Sequence, residues 1–167
     1  MAASDFVITS QRIGSQPINV TDTVQRHRLG EIVSAISPIY GGGEFIYLKG
    51  VASTVVGSLV DYDNSASTTT LTPATGGSGP VAIAMSANVA NQYGWYQIAG
   101  VAAIKSPNAT VVGADVYMLA ATPGSVDDAV VANEAILGAK FLSTTGTPAA
   151  GLALVQVNRP MHGATTP

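Results

Sequence analysis

Along most of the chain, short apolar runs rich in β-branched residues alternate with clusters of turn formers. The runs fall at 45–48, 54–56, 59–62, 81–85, 95–98, 101–104, 116–119, 136–142 and 152–157. Between them lie Asp63-Asn64-Ser65, Gly76-Gly77-Ser78-Gly79-Pro80, Ser106-Pro107-Asn108 and Thr122-Pro123-Gly124. In such clusters Asx side chains bond their own backbone, and Gly and Pro supply the dihedrals of tight turns. Runs this short, recurring about every ten residues, predict the strands of an all-β sandwich or barrel. Two segments read as helical. One is 126–134, with Ser125 as N-cap and Asp127 and Asp128 in the first turn, where carboxylates favour the positive end of the helix dipole. The other is a short piece at 88–92.

The pattern changes near residue 40. Residues 1–40 carry Arg12, Arg26 and Arg28 but little sustained apolar periodicity, and read as an extended N-terminal arm. Gly41-Gly42-Gly43 follows as a flexible joint, since glycine reaches positive φ without a Cβ penalty. A β-rich body then spans 44–160, and 161–167 is a flexible tail.

The body repeats itself. Phe45-Ile46-Tyr47-Leu48-Lys49-Gly50-Val51-Ala52 aligns with Trp95-Tyr96-Gln97-Ile98-Ala99-Gly100-Val101-Ala102 at an offset of 50 residues. Thr54-Val55-Val56-Gly57 returns as Thr110-Val111-Val112-Gly113 at an offset of 56. At that same offset Val81-Ala82-Ile83-Ala84-Met85 matches Leu137-Gly138-Ala139-Lys140-Phe141. Two copies are too few for a solenoid and imply pseudo-symmetry inside one domain. The last run, 152–157, matches the opening of a third copy and is expected to close the sheet beside the first strand, removing exposed edges.

Composition narrows the partners. Of 167 residues, 47% are hydrophobic and only 10% charged, against roughly 25% charged in an ordinary soluble domain. Ser, Thr, Asn and Gly must therefore cover the surface, which suits a protein packed against other proteins. A net charge of −3 and a pI near 5.1 argue against nucleic acid, whose binding needs a basic stripe. Mean hydropathy is +0.33, yet the uncharged stretch 64–104 is broken throughout by Ser, Thr, Gly, Pro and Asn and offers no span of about 20 apolar residues. Met1-Ala2-Ala3-Ser4-Asp5-Phe6 lacks the basic and apolar regions of a secretory signal, so the chain is expected to stay where it is made. The absence of cysteine excludes disulfides, thiolate metal sites and cysteine nucleophiles.

Catalytic chemistry finds few materials. The two histidines, His27 and His162, lie in the arm and the tail and read as solvated or interface residues. A serine triad in the body has no base. Asp61 and Asp63 would share a strand face but read more simply as the end of a strand opening a turn. The glycine-rich stretches lack the Lys-Ser/Thr and following helix of a phosphate loop. Enzyme function, a cofactor and a metal are therefore not expected. The aromatic residues, Trp95 and Tyr96 among them, read chiefly as core and subunit-contact positions.

His27-Arg28-Leu29-Gly30-Glu31-Ile32-Val33 and Tyr40-Gly41-Gly42-Gly43-Glu44-Phe45-Ile46-Tyr47-Leu48-Lys49-Gly50-Val51-Ala52 resemble structural proteins of tailed bacteriophages. So do Gly94-Trp95-Tyr96-Gln97-Ile98-Ala99-Gly100 and Val111-Val112-Gly113-Ala114-Asp115-Val116-Tyr117. Over roughly residues 27–160 the chain looks like a head decoration, or cement, protein. That resemblance implies a compact β-barrel or β-tulip-like body that forms a homotrimer and binds the major capsid protein. Its location would be the virion, on the outer surface of the capsid, after synthesis in the host cytoplasm, with no nucleic-acid or membrane partner. The arm would reach across capsid subunits, which makes Arg12, Arg26, His27 and Arg28 the capsid-contact candidates. The competing reading is a receptor- or carbohydrate-binding module of a phage fibre or bacterial surface structure, using Trp95 and Tyr96.

Overall fold

The computed structural model describes residues 7–9, 15–50, 54–88 and 90–163. Every regular element among them is a strand: β1 (Val7–Ile8), β2 (Ile32–Ser37), β3 (Gly41–Lys49), β4 (Leu59–Asp63), β5 (Thr68–Leu71), β6 (Val81–Ala84), β7 (Tyr93–Lys105), β8 (Asp115–Met118), β9 (Val126–Asp127), β10 (Ala135–Phe141) and β11 (Leu152–Gly163). The all-β fold follows from the two periodicities in the sequence. β2 alternates strictly, Val33, Ala35 and Ser37 inward and Ile32, Ser34 and Ile36 outward, as a strand with one covered face must. β6 is apolar and buried at all four positions, as a strand covered on both faces must be.

All eleven strands belong to one sheet in the order β1-β2-β3-β5-β4-β6-β7-β11-β10-β8-β9. An additional antiparallel pairing of β3 with β7, from Lys49 opposite Tyr93 to Glu44 opposite Ala99, closes β3, β5, β4, β6 and β7 into a ring. The ring is not a continuous barrel, because β3 meets β5 through the single parallel pair Lys49 and Thr68. Its interior is filled by Ile46, Leu48, Val60, Ala82, Ala84, Tyr96 and Ile98. The sheet ends, β1 and β9, are two residues each, too short to template pairing with another chain.

The internal repeat is visible as topology. β5-β4-β6-β7 and β9-β8-β10-β11 are the same four-strand order, and they meet where β7 pairs antiparallel with β11, from Lys105 opposite Leu152 to Ala99 opposite Asn158. The Thr-Val-Val-Gly segments are matching turns. Ser58 N–H donates to Val55 O at 3.0 Å and Ala114 N–H to Val111 O at 3.2 Å. Gly57 N–H donates to Ala84 O, and Gly113 N–H to Phe141 O, both at 2.8 Å. Thr54 and Thr110 each turn a hydroxyl onto a loop carbonyl, of Asn88 and Ser143. The outer face of the first copy (Leu59, Val81, Ile83, Ala102, Ile104) packs against the second (Val116, Met118, Val126, Ile136, Phe141, Val155, Val157) in the largest core.

Several expectations are corrected. The run 54–56 is a turn rather than a strand. The predicted helix at 126–134 is absent: Val126 and Asp127 pair with β8. The carboxylates that suggested a helix first turn instead hold the neighbouring loop, Asp127 accepting from Asn108 Nδ2 at 2.6 Å and Asp128 from Val111 N–H at 2.7 Å. Within 88–92 the described residues 90 and 91 form a turn with Asn91 at φ 67°, and Asn88 Nδ2 donates to Tyr96 Oη at 2.6 Å. β11 does not close the sheet against β3; it lies between β7 and β10, and β7 makes the closure. β11 also runs through Gly163, so the described part of the expected tail is strand, and residues 164–167 lie outside the described residues.

Gly41-Gly42-Gly43 is the start of β3, paired with Ser37, Ile36 and Ala35. The described part of the N-terminal segment is extended and turn-rich from 15 to 31, but it lies against the body and does not stand away from it. Ile18, Val33 and Ala35 are buried with Phe45, Tyr47, Met85 and Trp95 in a third core. Sealing an aromatic side chain from water contributes about 1.5–3 kcal/mol, so a strap that covers Phe45, Tyr47 and Trp95 is integral to stability. Residues 1–6 and 10–14, Arg12 among them, lie outside the described residues.

Candidate functional site

Two places gather polar chemistry, one under the strap 15–31 and one at the far end of β11. Under the strap, Gln16 is the hub. Its main-chain N–H donates to His27 Nε2 at 3.0 Å, and its carbonyl accepts from Trp95 Nε1 at 2.9 Å. Its side-chain Oε1 accepts from Tyr47 Oη at 2.7 Å, and its Nε2 donates to Val20 O at 2.6 Å and Tyr93 O at 3.1 Å. The His27 ring sits 5.0 Å from both the Tyr47 and Trp95 rings, and Tyr47 stacks on Tyr93 at 6.4 Å. Glu31 Oε2 lies 3.8 Å from His27 Nδ1, the two side chains being 13% and 8% exposed. Buried polar groups fully paired in this way fix one arrangement of the segment. Burial raises the Tyr47 phenol above its usual range despite the N–H it receives from Arg26.

The capsid-contact candidates divide between different surroundings. Arg26 is exposed and binds Asp22 through Nε at 2.7 Å. The Val24 N–H and this guanidinium hold the Asp22 carboxyl below the ordinary carboxylate range. His27 points inward. Arg28 is exposed and lines a polar concavity of about 720 Å³ with Gly30, Glu31, Asn64, Ser65 and Ser67. Consecutive in sequence, the three do not form one basic patch.

The second cluster was not anticipated. His162 Nε2 lies 2.8 Å from Asp61 Oδ1, with side chains 5% and 16% exposed, and Thr72 Oγ1 donates to the same oxygen at 2.7 Å. Gly77 lies so close to the imidazole that a Cβ there would overlap it. Glu134 carboxylate accepts the Gly76 N–H at 3.0 Å and holds the glycine loop down. The pair therefore ties β4, the loop 72–80 and β11 together across the two copies. Asp63 does what its sequence context suggests: Ser65 Oγ, Ser65 N–H and Ala66 N–H bond its carboxylate and keep its pKa low. The sequence signal for Asp61 with His162 was missing because 101 residues separate them. Among the described residues no group of three or more His, Asp or Glu side chains is placed to hold a metal.

Trp95 and Tyr96 are fully buried, which removes the exposed stacking face that a carbohydrate-binding reading required. What the surface offers instead lies at one end of the body. There the turns 54–58 and 110–114 meet the ends of β7 and β11: Lys105 N–H donates to Gly57 O at 2.8 Å and Ser106 N–H to Gly151 O at 2.9 Å, and Thr145 Oγ1 bonds Asn108 O. Val55, Val111 and Val112 are 46%, 65% and 59% exposed on these turns.

Fold and site together define an all-β protein with a pseudo-duplicated sheet and a strapped-down N-terminal segment. The chain matches no protein-family model and no curated protein.

Proposed function

We propose that the chain is a capsid decoration, or cement, protein that binds the outer surface of a phage head as a homotrimer and stabilises contacts between major capsid subunits. The observation that carries this reading is the end of the body where both copies of the repeat present exposed valines on turns pinned by hydrogen bonds. A surface of this kind binds by shape and burial, because its backbone is already ordered and the neighbouring Asp128 carboxylate is already bonded to Val111 N–H at 2.7 Å. Two exposed pairs of opposite charge are matched within the chain, Glu44 with Arg159 and Asp115 with Lys140, each at 2.8 Å. The resemblance of residues 27–160 to head decoration proteins supplies the identity of the partner. In this reading the protein is not an enzyme and works without a cofactor.

The test adds the purified protein to heads assembled without it and follows their thermal disruption. The disruption temperature should rise with occupancy, and Val111→Asp with Val112→Asp should abolish the rise while the protein's own melting point stays put. No rise at saturating occupancy would refute the proposal.

A further inference from the structure

We propose that His27 is a proton-operated latch for the strap 15–31. The hydrogen bond from Gln16 N–H to His27 Nε2, 3.0 Å long, requires a lone pair on that nitrogen. In the docked state Nε2 is therefore unprotonated, and a neutral ring carries its hydrogen on Nδ1, facing Glu31 Oε2 at 3.8 Å. Adding the second proton turns Nε2 into a donor. Two N–H groups then oppose each other at hydrogen-bond distance, and the ring must turn or Gln16 must leave. Leaving is consequential, because the same residue receives Trp95 Nε1–H and Tyr47 Oη–H and donates to the carbonyls of Val20 and Tyr93.

Glu31, on the strap itself, attracts an imidazolium. From β3 and β7 the groups facing the ring are Tyr47 and Trp95, with Tyr93 stacked behind Tyr47. Asp22 and Arg26 neutralise each other at the exposed rim. Histidine changes charge between about pH 8 and pH 5. Acidification therefore breaks the Gln16 bond and uncovers the Tyr47 and Trp95 rings, with Ile18 leaving the core beneath. This inference stands independently of the capsid reading.

Trp95 is the sole tryptophan, so its indole N–H reports on the latch directly. In ¹⁵N-labelled full-length protein, the indole resonance should move as pH falls from about 8 to about 5. Its hydrogen-exchange protection, corrected for the intrinsic pH dependence, should drop by about ten-fold, the loss expected for roughly one buried hydrogen bond. His27→Gln, whose side-chain oxygen accepts the Gln16 N–H at every pH, should hold the resonance and its protection constant. Glu31→Gln should move the wild-type transition to lower pH. The latch is overturned if the wild-type indole keeps its protection throughout, if His27→Gln loses it in parallel, or if Glu31→Gln leaves the midpoint unmoved.

Discussion

The two matched turns permit an internally controlled experiment on Gly57 and Gly113. Both occupy the left-handed region, at φ +85° and +84°, where a side chain costs about 1–2 kcal/mol. Replacing glycine by alanine also restricts the unfolded chain, returning about 0.4–1 kcal/mol. Those two contributions are common to both sites. The space differs. A Cβ on Gly113 meets nothing within 4 Å, whereas one on Gly57 lies 3.0 Å from Leu152 Cδ2 and 3.2 Å from both Ala103 O and Lys105 N. Two of those three neighbours are backbone in the paired β7 strand and cannot step aside, so overpacking adds about 1–3 kcal/mol at Gly57. Gly113→Ala should therefore cost about 1 kcal/mol, and Gly57→Ala about 2–4 kcal/mol. Urea denaturation gives the free energies, and thermal melts should fall by about 2–4 °C per kcal/mol for a chain of this length. Equal losses, or a larger loss at Gly113, would show that the two turns are not packed as described.

Three further outcomes follow from the polar groups. Asp61→Ala leaves His162 Nε2 buried without its partner and should destabilise by about 1–3 kcal/mol, while Asp61→Asn, which keeps an acceptor, should cost less; equal losses in urea titrations would mean the bond is not what matters. Burial raises the phenols of Tyr96, Tyr62 and Tyr47. Since the folded values lie above the unfolded one, the stability they contribute is complete below about pH 10 and is lost as pH rises through the folded values. Ultraviolet titration should show these phenols ionising late and together with alkaline unfolding, and three normal phenols would contradict that. Arg159→Ala removes an exposed ion pair with Glu44 and should change stability by no more than about 1 kcal/mol, with a larger loss by thermal melting pointing to a structural role for the arginine stem.

The strand content and the duplication could be read from the sequence because both are written in local periodicity. β4, β6, β8 and β10 coincide with apolar runs that the turn clusters isolate. The ends of elements were harder to see. β11 continues past Val157 across a register shift against β10, where Arg159 adopts φ 44° just before Pro160, a combination that reads as a strand terminator. The helix at 126–134 failed for a different reason. Local capping propensity lost to a tertiary demand, since Asp127 and Asp128 are more useful holding Asn108 and Val111 than capping a helix that would have removed β9 from the sheet. The adhesion of the strap has no periodic signal, because it resides in Ile18 and Gln16, two residues without periodic neighbours. Around His27 the contacts to Gln16 and Glu31 are 11 and 4 residues apart, while those that seat Gln16 on Tyr47 and Trp95 are 31 and 79 apart and have no local signature.

The closure of β3 onto β7 makes the two copies unequal during synthesis. By the time Lys105 has left the ribosome, every strand of the ring and both cores it carries are present, so the first copy can complete itself. The second cannot, because β11 needs the far half of β7 as its neighbour. Until it arrives, Leu59, Val81, Ile83, Ala102 and Ile104, all members of the shared core, face water on a nascent chain. That interval is when the molecule is most exposed to misassembly with other unfinished chains, and a chain cut off near residue 106 would carry a ring with one adhesive side.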